Sequence, residues 1–123
     1  MPLVDTSVWI EHLRCGDARL TKLLDAGQVF IHPFVTGELA LGNLHHRGKL
    51  LCLLGDLPQA TPASDEEVLG FIEHYRLSGT GIGYIDAHLL ASAQLTAVSF
   101  WTRDKRLHEA ALRLGLAENA QVL

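Results

Sequence analysis

Cysteine is nearly missing from this chain: Cys15 and Cys52 stand 37 positions apart without CxxC spacing. That excludes a disulfide framework and a sulfur-ligated metal site, and two reduced thiols are expected. Long apolar runs are missing as well. The densest, Leu50-Leu51-Cys52-Leu53-Leu54, is broken by Gly55 and Asp56, far short of the roughly 18 residues that span a membrane. Met1 leads directly into a candidate strand, which leaves no room for a cleavable signal segment, so a cytoplasmic location is expected. Positive charge is short too. Ten Lys and Arg against 14 Asp and Glu give a net charge of −4, whereas nucleic-acid binders usually carry a basic footprint. The acidic balance lowers that class without excluding it, because two divalent ions held by carboxylates would bring the sum to about zero.

What is present is apolar and evenly spread. A hydrophobic fraction of 48% over 123 residues suits a folded chain with one core, at the common domain size of about 100–150 residues. No repeat, low-complexity tract or linker interrupts it, so residues 1–123 are expected to form a single domain. Strand signals alternate with helix signals, the pattern of an α/β domain with a mostly parallel sheet. Strands are expected near 2–5, 28–32, 58–61, 97–102 and 119–122. Helices are expected near 7–14, 18–26, 34–44, 46–54, 65–76, 84–95 and 104–114. Ser64 with Glu67 three residues on reads as a capping box, and Gly27 and Gly115 read as helix stops. Gly79-Thr80-Gly81-Ile82-Gly83 reads as a loop delivering Asp86.

Four acidic residues, Asp5, Glu38, Asp86 and Asp104, occupy positions where a carboxylate needs a reason. Asp5 follows Pro2-Leu3-Val4, and Asp104 follows a run from Ala97 to Thr102 that reads as a buried strand. Each could simply cap the helix that comes next. Glu38 lies among Phe34, Val35, Leu39 and Leu41, and a solvated helix edge is its plain reading. Asp86 lies between Ile85 and Ala87 with no nearby cation in sequence, and a helix-start carboxylate is its plain reading. Taken together they say more. In open parallel sheets ligands sit beyond the carboxyl ends of strands, where Asp5 and Asp104 would lie. Four converging carboxylates repel, and a hard divalent cation relieves that repulsion, with oxygen ligands selecting Mg²⁺ or Mn²⁺ over zinc.

The order Leu3-Val4-Asp5-Thr6-Ser7-Val8, Gly37-Glu38-Leu39, Tyr84-Ile85-Asp86-Ala87 and Trp101-Thr102-Arg103-Asp104-Lys105-Arg106-Leu107 resembles the PIN-domain ribonucleases. The likeness is greatest to the VapC-type toxins of bacterial toxin–antitoxin pairs, and it covers essentially the whole chain. It implies a three-layer α/β/α sandwich with about five strands, and a metal-dependent endoribonuclease acting on single-stranded or loop RNA. By the same resemblance Asp5, Glu38 and Asp86 hold Mg²⁺ or Mn²⁺, with Asp104 joining directly or through water. Thr102, with Thr6 or Ser7, orients a water or a neighbouring carboxylate. Arg103, Lys105 and Arg106 stand beside the site and could meet phosphates, a solvated basic helix start being the plainer reading. Trp9 with Leu13 forms an apolar edge on the first helix, which in this family lies near the antitoxin groove. A cognate antitoxin and a homodimer are implied as partners.

Other features carry less. His45-His46 lack ligand spacing with another His or Cys and read as a loop. Trp9 and Trp101 could stack bases, although packing is the plainer reading. A haloacid-dehalogenase-like phosphatase needs an Asp where this chain has Ser7, and a receiver domain needs one near Pro58-Gln59-Ala60-Thr61. A non-catalytic module for interaction or RNA docking is the alternative, and retention of all four carboxylates argues against it.

Overall fold

Pro2-Leu3-Val4 and Ser99-Phe100-Trp101 are short apolar runs, and such runs with both faces covered form parallel strands. They pair as β1 (Pro2–Val4) and β2 (Ser99–Trp101), parallel, with Leu3 opposite Phe100. This computed structural model describes residues 1–118, so the strand expected at 119–122 lies outside the described residues.

Three further segments attach by single parallel bridges: Phe30 to Leu3, Gln59 to Ile31, and Ala117 to Phe100. Segments 28–32 and 58–61, expected as strands, therefore run beside the sheet without becoming strands. Proline accounts for their brevity. Pro33 starts a helix two residues beyond Ile31, and Pro58 has no N–H to donate, although its carbonyl accepts from Ile31 N at 2.9 Å.

Among the described residues seven helices fill the intervals: α1 (Thr6–Cys15), α2 (Ala18–Asp25), α3 (Pro33–Ala40), α4 (Arg47–Asp56), α5 (Asp65–His74), α6 (Tyr84–Thr96) and α7 (Lys105–Arg113). The Ser64 capping box opens α5 with both reciprocal bonds, at 3.1 and 2.9 Å. Helix α3 stops at Ala40, not at 44 as expected. The chain turns at Leu41 and Gly42, whose N–H bonds Leu39 O at 3.0 Å. Ala97 closes α6 in the left-handed region, φ 61°, and this turn delays β2 to Ser99.

The core lies between the strands and the helices. Residues 87–93 of α6 are buried without a break, so the middle of this helix is covered on all sides. Trp9, Phe100 and Leu107 belong to the same buried cluster.

Candidate active site

Asp5 follows the last residue of β1 and stands at the N-cap position of α1, yet its side chain caps nothing. Its Oδ2 accepts instead from Thr102 Oγ1 at 2.8 Å and Ser7 Oγ at 2.7 Å. Asp5 N donates to Trp101 O at 2.9 Å, so the ends of the two strands are tied by backbone as well. Each hydroxyl also accepts from the turn after β2: Thr102 Oγ1 from Asp104 N and Ser7 Oγ from Arg103 N, both at 3.0 Å. Asp5 and Thr102 are buried. A hydroxyl that accepts from backbone and donates to a carboxylate has its proton direction set, so the Asp5 carboxylate is held in one orientation.

Glu38 reaches the same place from α3. Thr6 Oγ1 donates to Glu38 Oε1 at 3.4 Å, a long contact. Asp86, in the first turn of α6, accepts from Gly83 N through Oδ2 at 3.0 Å. Asp104 caps α7, its Oδ1 accepting from Leu107 N at 3.1 Å. Helix capping, one of the two readings open for Asp104, is therefore realised, and Asp86 stabilises its helix start likewise. Each does so with one carboxylate oxygen and keeps the other.

Electrostatics join the four. Burial pushes the Glu38 carboxyl above its ordinary range, the charges of Asp5 and Asp86 push the same way, and the Thr6 hydroxyl opposes them. Asp86 is raised by burial first. The Gly83 N–H offsets part of that, and the charges of Asp5 and Asp104 add to it. Each of the four thus acts on, or is acted on by, another. The ion pairs of the described residues involve none of them. In this conformation no three His, Cys, Asp or Glu side chains among the described residues close around a common point tightly enough to hold an ion. The donor set is nevertheless all oxygen, acidic and without a neutralising cation, which fits a hard divalent ion.

The basic residues beside the site differ from one another. Arg103 is engaged, with Nη2 at 2.6 Å from Asp17 Oδ2 and Nε at 3.6 Å from Glu11 Oε2. Burial would raise Asp17, but the Leu20 N–H and the Arg103 guanidinium hold it below its ordinary value. Arg106 lies over the loop before α6, so close that a Cβ on Gly81 would stand 2.7 Å from its Nη1. Lys105 is exposed.

Trp9 corrects one expectation. It is 1% exposed and belongs to the core, so it cannot line a partner groove. The spacing to Leu13 is helical, but α1 turns Trp9 under the molecule while Leu13 emerges, 42% exposed, near its end. A groove does exist beside Leu13. A hollow of about 540 Å³ is lined by Ile10, Leu13, Leu39, Leu44 and Leu50, with Glu38 also in its wall. It adjoins a second of about 600 Å³ that shares Leu13, His45 and Leu50. His45 and His46 thus line a surface hollow and gather no metal-ligand set.

A cluster between α3, α5 and α6 escaped the sequence reading. His88 is buried, its Nε2 3.0 Å from Asp65 Oδ1, which also accepts from Tyr84 OH at 2.8 Å. The rings of Phe34 and Tyr84 pack on His88 with centroids at 5.0 and 4.7 Å. His32, buried beside them, accepts from Phe34 N at 3.0 Å through Nδ1. The i, i+4 spacing of Tyr84 and His88 was the available signal. Nothing in the sequence announced Phe34 or Asp65 as their partners.

Residues 3–112 match the sequence profile of the PIN domain family. Over 118 residues, 95% of either chain, the protein is 48% identical to a protein named Ribonuclease VapC32 in Mycobacterium tuberculosis strain CDC 1551 / Oshkosh. The same identity and coverage hold for Ribonuclease VapC32 of strain ATCC 25618 / H37Rv.

Proposed function

Because the chain belongs to the PIN-domain family, we propose that it is a VapC-type toxin, an endoribonuclease that uses Mg²⁺ or Mn²⁺ to hydrolyse phosphodiester bonds in structured or single-stranded loop RNA. The observation that carries the reading is that four separate elements bring Asp5, Glu38, Asp86 and Asp104 close enough for Asp5 and Asp86 to act on Glu38 and for Asp5 and Asp104 to act on Asp86, with no ion pair to any of them among the described residues. The relatives' name supports the ribonuclease part of it. The whole chain is taken as one domain, an α/β/α sandwich whose sheet includes the bridged segments, working in the cytoplasm.

In this reading Asp5, Glu38 and Asp86 hold the ion, and Asp104 offers its second oxygen directly or through water. A divalent ion so held supplies the charge that makes water nucleophilic near neutral pH and steadies the departing oxygen. Thr102 and Ser7 engage one oxygen of Asp5 and so would orient the carboxylate for an ion. Thr6 steadies Glu38. Lys105 and Arg106 are the phosphate contacts of choice, since Arg103 is committed to Asp17 and Glu11.

In the same reading the antitoxin would lie along Ile10, Leu13 and Leu50, in a largely apolar hollow whose lining includes Glu38. A basic side chain of the partner beside Glu38 would meet the carboxylates and block the site. A homodimer is proposed with it, for which light scattering is the check.

The deciding experiment compares RNA cleavage by wild type and Asp5→Asn in Mn²⁺, Mg²⁺ and chelator. Cleavage by wild type in either metal, none in chelator, and none by the variant is the expected result. Metal-independent cleavage, or a fully active variant, would refute the assignment. Soluble wild-type protein with no cleavage in any condition would favour the non-catalytic alternative.

A further inference from the structure

Two partly exposed aromatic rings stand on the helices that carry Glu38 and Asp86, and the mechanism above does not use them. Phe34 is 37% exposed and stands one helical turn before Glu38 on α3. Tyr84 is 43% exposed and opens α6; it shares a helix face with His88, four residues on, and not with Asp86, two residues on. Residues four apart share a helix face, so Phe34 accompanies Glu38 on the side of α3 that meets α6.

Neither ring is loose. Both pack edgewise on the buried His88, at interplanar angles of 70° and 89°. His88 is anchored through Nε2 to Asp65, and the Tyr84 hydroxyl is anchored to the same carboxylate oxygen. Phe34 also leans on His32, ring centroids 4.9 Å apart. A buried, hydrogen-bonded imidazole against which two partly exposed rings pack is a mount that keeps apolar ring surface in solvent.

We propose that Phe34 and Tyr84 form a subsite for an unpaired nucleobase of the RNA, one helical turn from Glu38 along α3. The inference rests on the ribonuclease reading and extends it to how the strand is held. An aromatic face gives up less conformational freedom on binding when it is already pinned. Stacking on such a face is open to every base, because every base has a π-surface. It also requires the base to be unstacked from its neighbours, which single strands and loops allow and duplexes do not. On an acidic protein, a contact that does not depend on phosphate charge is well suited to holding RNA.

The test measures binding in chelator, where nothing is cleaved, by fluorescence anisotropy of two labelled 12-nucleotide probes. One is oligouridylate, and the other is the same ribose-phosphate chain without bases. The variants are Phe34→Ala, Tyr84→Ala, Tyr84→Leu and Tyr84→Phe, each first checked for an unchanged thermal transition. Wild type is expected to prefer the base-bearing probe. Phe34→Ala and Tyr84→Ala should each weaken binding of that probe about tenfold or more and leave the abasic probe unaffected. Tyr84→Leu, which keeps apolar bulk without the ring, should lose as much as Ala, while Tyr84→Phe should retain most of the affinity. Should Tyr84→Ala unfold, the Leu and Phe pair decides alone. Equal losses on both probes, or none on either, would overturn the subsite. Cleavage by wild type in Mn²⁺ is scored beside it. Active wild type with indifferent aromatic variants defeats the subsite and leaves the nuclease, whereas an inactive wild type defeats the nuclease reading on which the subsite rests.

Discussion

Thr102 shows how much one hydroxyl decides at this site. It is 2% exposed, donates to Asp5 and accepts from Asp104 N, so it joins the first and last carboxylates of the set. Thr102→Val keeps the shape and removes both bonds. Groups that orient a metal ligand usually contribute 10–100-fold in metal affinity or activity. Loss of about that size is expected for Thr102→Val in metal-dependent RNA cleavage, and Thr102→Ser should restore most of it. Asp5→Asn belongs with it as a measure of binding apart from turnover. In Mn²⁺ at a hundred times the dissociation constant, wild type should gain about 2.7 kcal/mol of stability, and the variant much less. Thermal melts with Mn²⁺ and with chelator read this directly, and equal gains would remove Asp5 from the site. The four carboxylates could be singled out in the sequence as candidates, because each interrupts an apolar run or stands at its end. The way they are held was not legible: Ser7, Thr102 and Asp5 meet across 95 and 97 positions.

Among the elements, helices were read more successfully than strands. Helical spacing and caps are local signals, and Ser64 with Glu67 forms the expected box. Segments 28–32 and 58–61 carry strand-like residues, but Pro33 and Pro58 cut their ladders to single bridges. Helix α3 was read four residues too long because Leu41 and Leu44 continue its apolar pattern; Leu41 is in fact 90% exposed. Trp9 was misplaced because i, i+4 spacing fixes which residues share a face, not how deep each one lies. At the start of α3, His32 serves as N-cap through a neutral ring nitrogen. Burial, and then the nearby His88, hold its pKa at about 4, below the ordinary 6.5. The unfolded chain therefore binds a proton that the folded chain refuses between those values. Its stabilising contribution is complete above 6.5 and is lost as pH falls towards 4, by about 1.4 kcal/mol per pH unit. His32→Asn keeps a capping acceptor but cannot titrate. Its stability, followed by urea unfolding across this window, should be less steep in pH than that of wild type.

At the scale of the molecule, the acidic site and the apolar groove meet at Glu38. A partner lying in the groove therefore also controls access to the carboxylates. Leu13→Glu, at an exposed position outside the site, should weaken capture of the cognate antitoxin at least tenfold in a titration and leave RNA cleavage intact. Unchanged binding would remove this groove from the interface.

Three of the carboxylates belong to the opening turn of a helix: Asp5 at the N-cap position of α1, Asp86 within the first turn of α6, and Asp104 at the N-cap of α7. A helix start carries about half a positive charge from its aligned peptide dipoles. Three such ends directed at one region give the backbone itself a cationic character there, which formal charges do not record. Those ends stabilise the carboxylates while no metal is bound. Once an ion has neutralised the carboxylates, the same field favours an incoming phosphate. The four carboxylates account for the whole net charge of −4, ten basic residues standing against ten acidic ones elsewhere, so a backbone field at this one point can decide where RNA settles, and affinity for the scissile phosphate should be less dependent on salt than in proteins that rely on lysine and arginine alone.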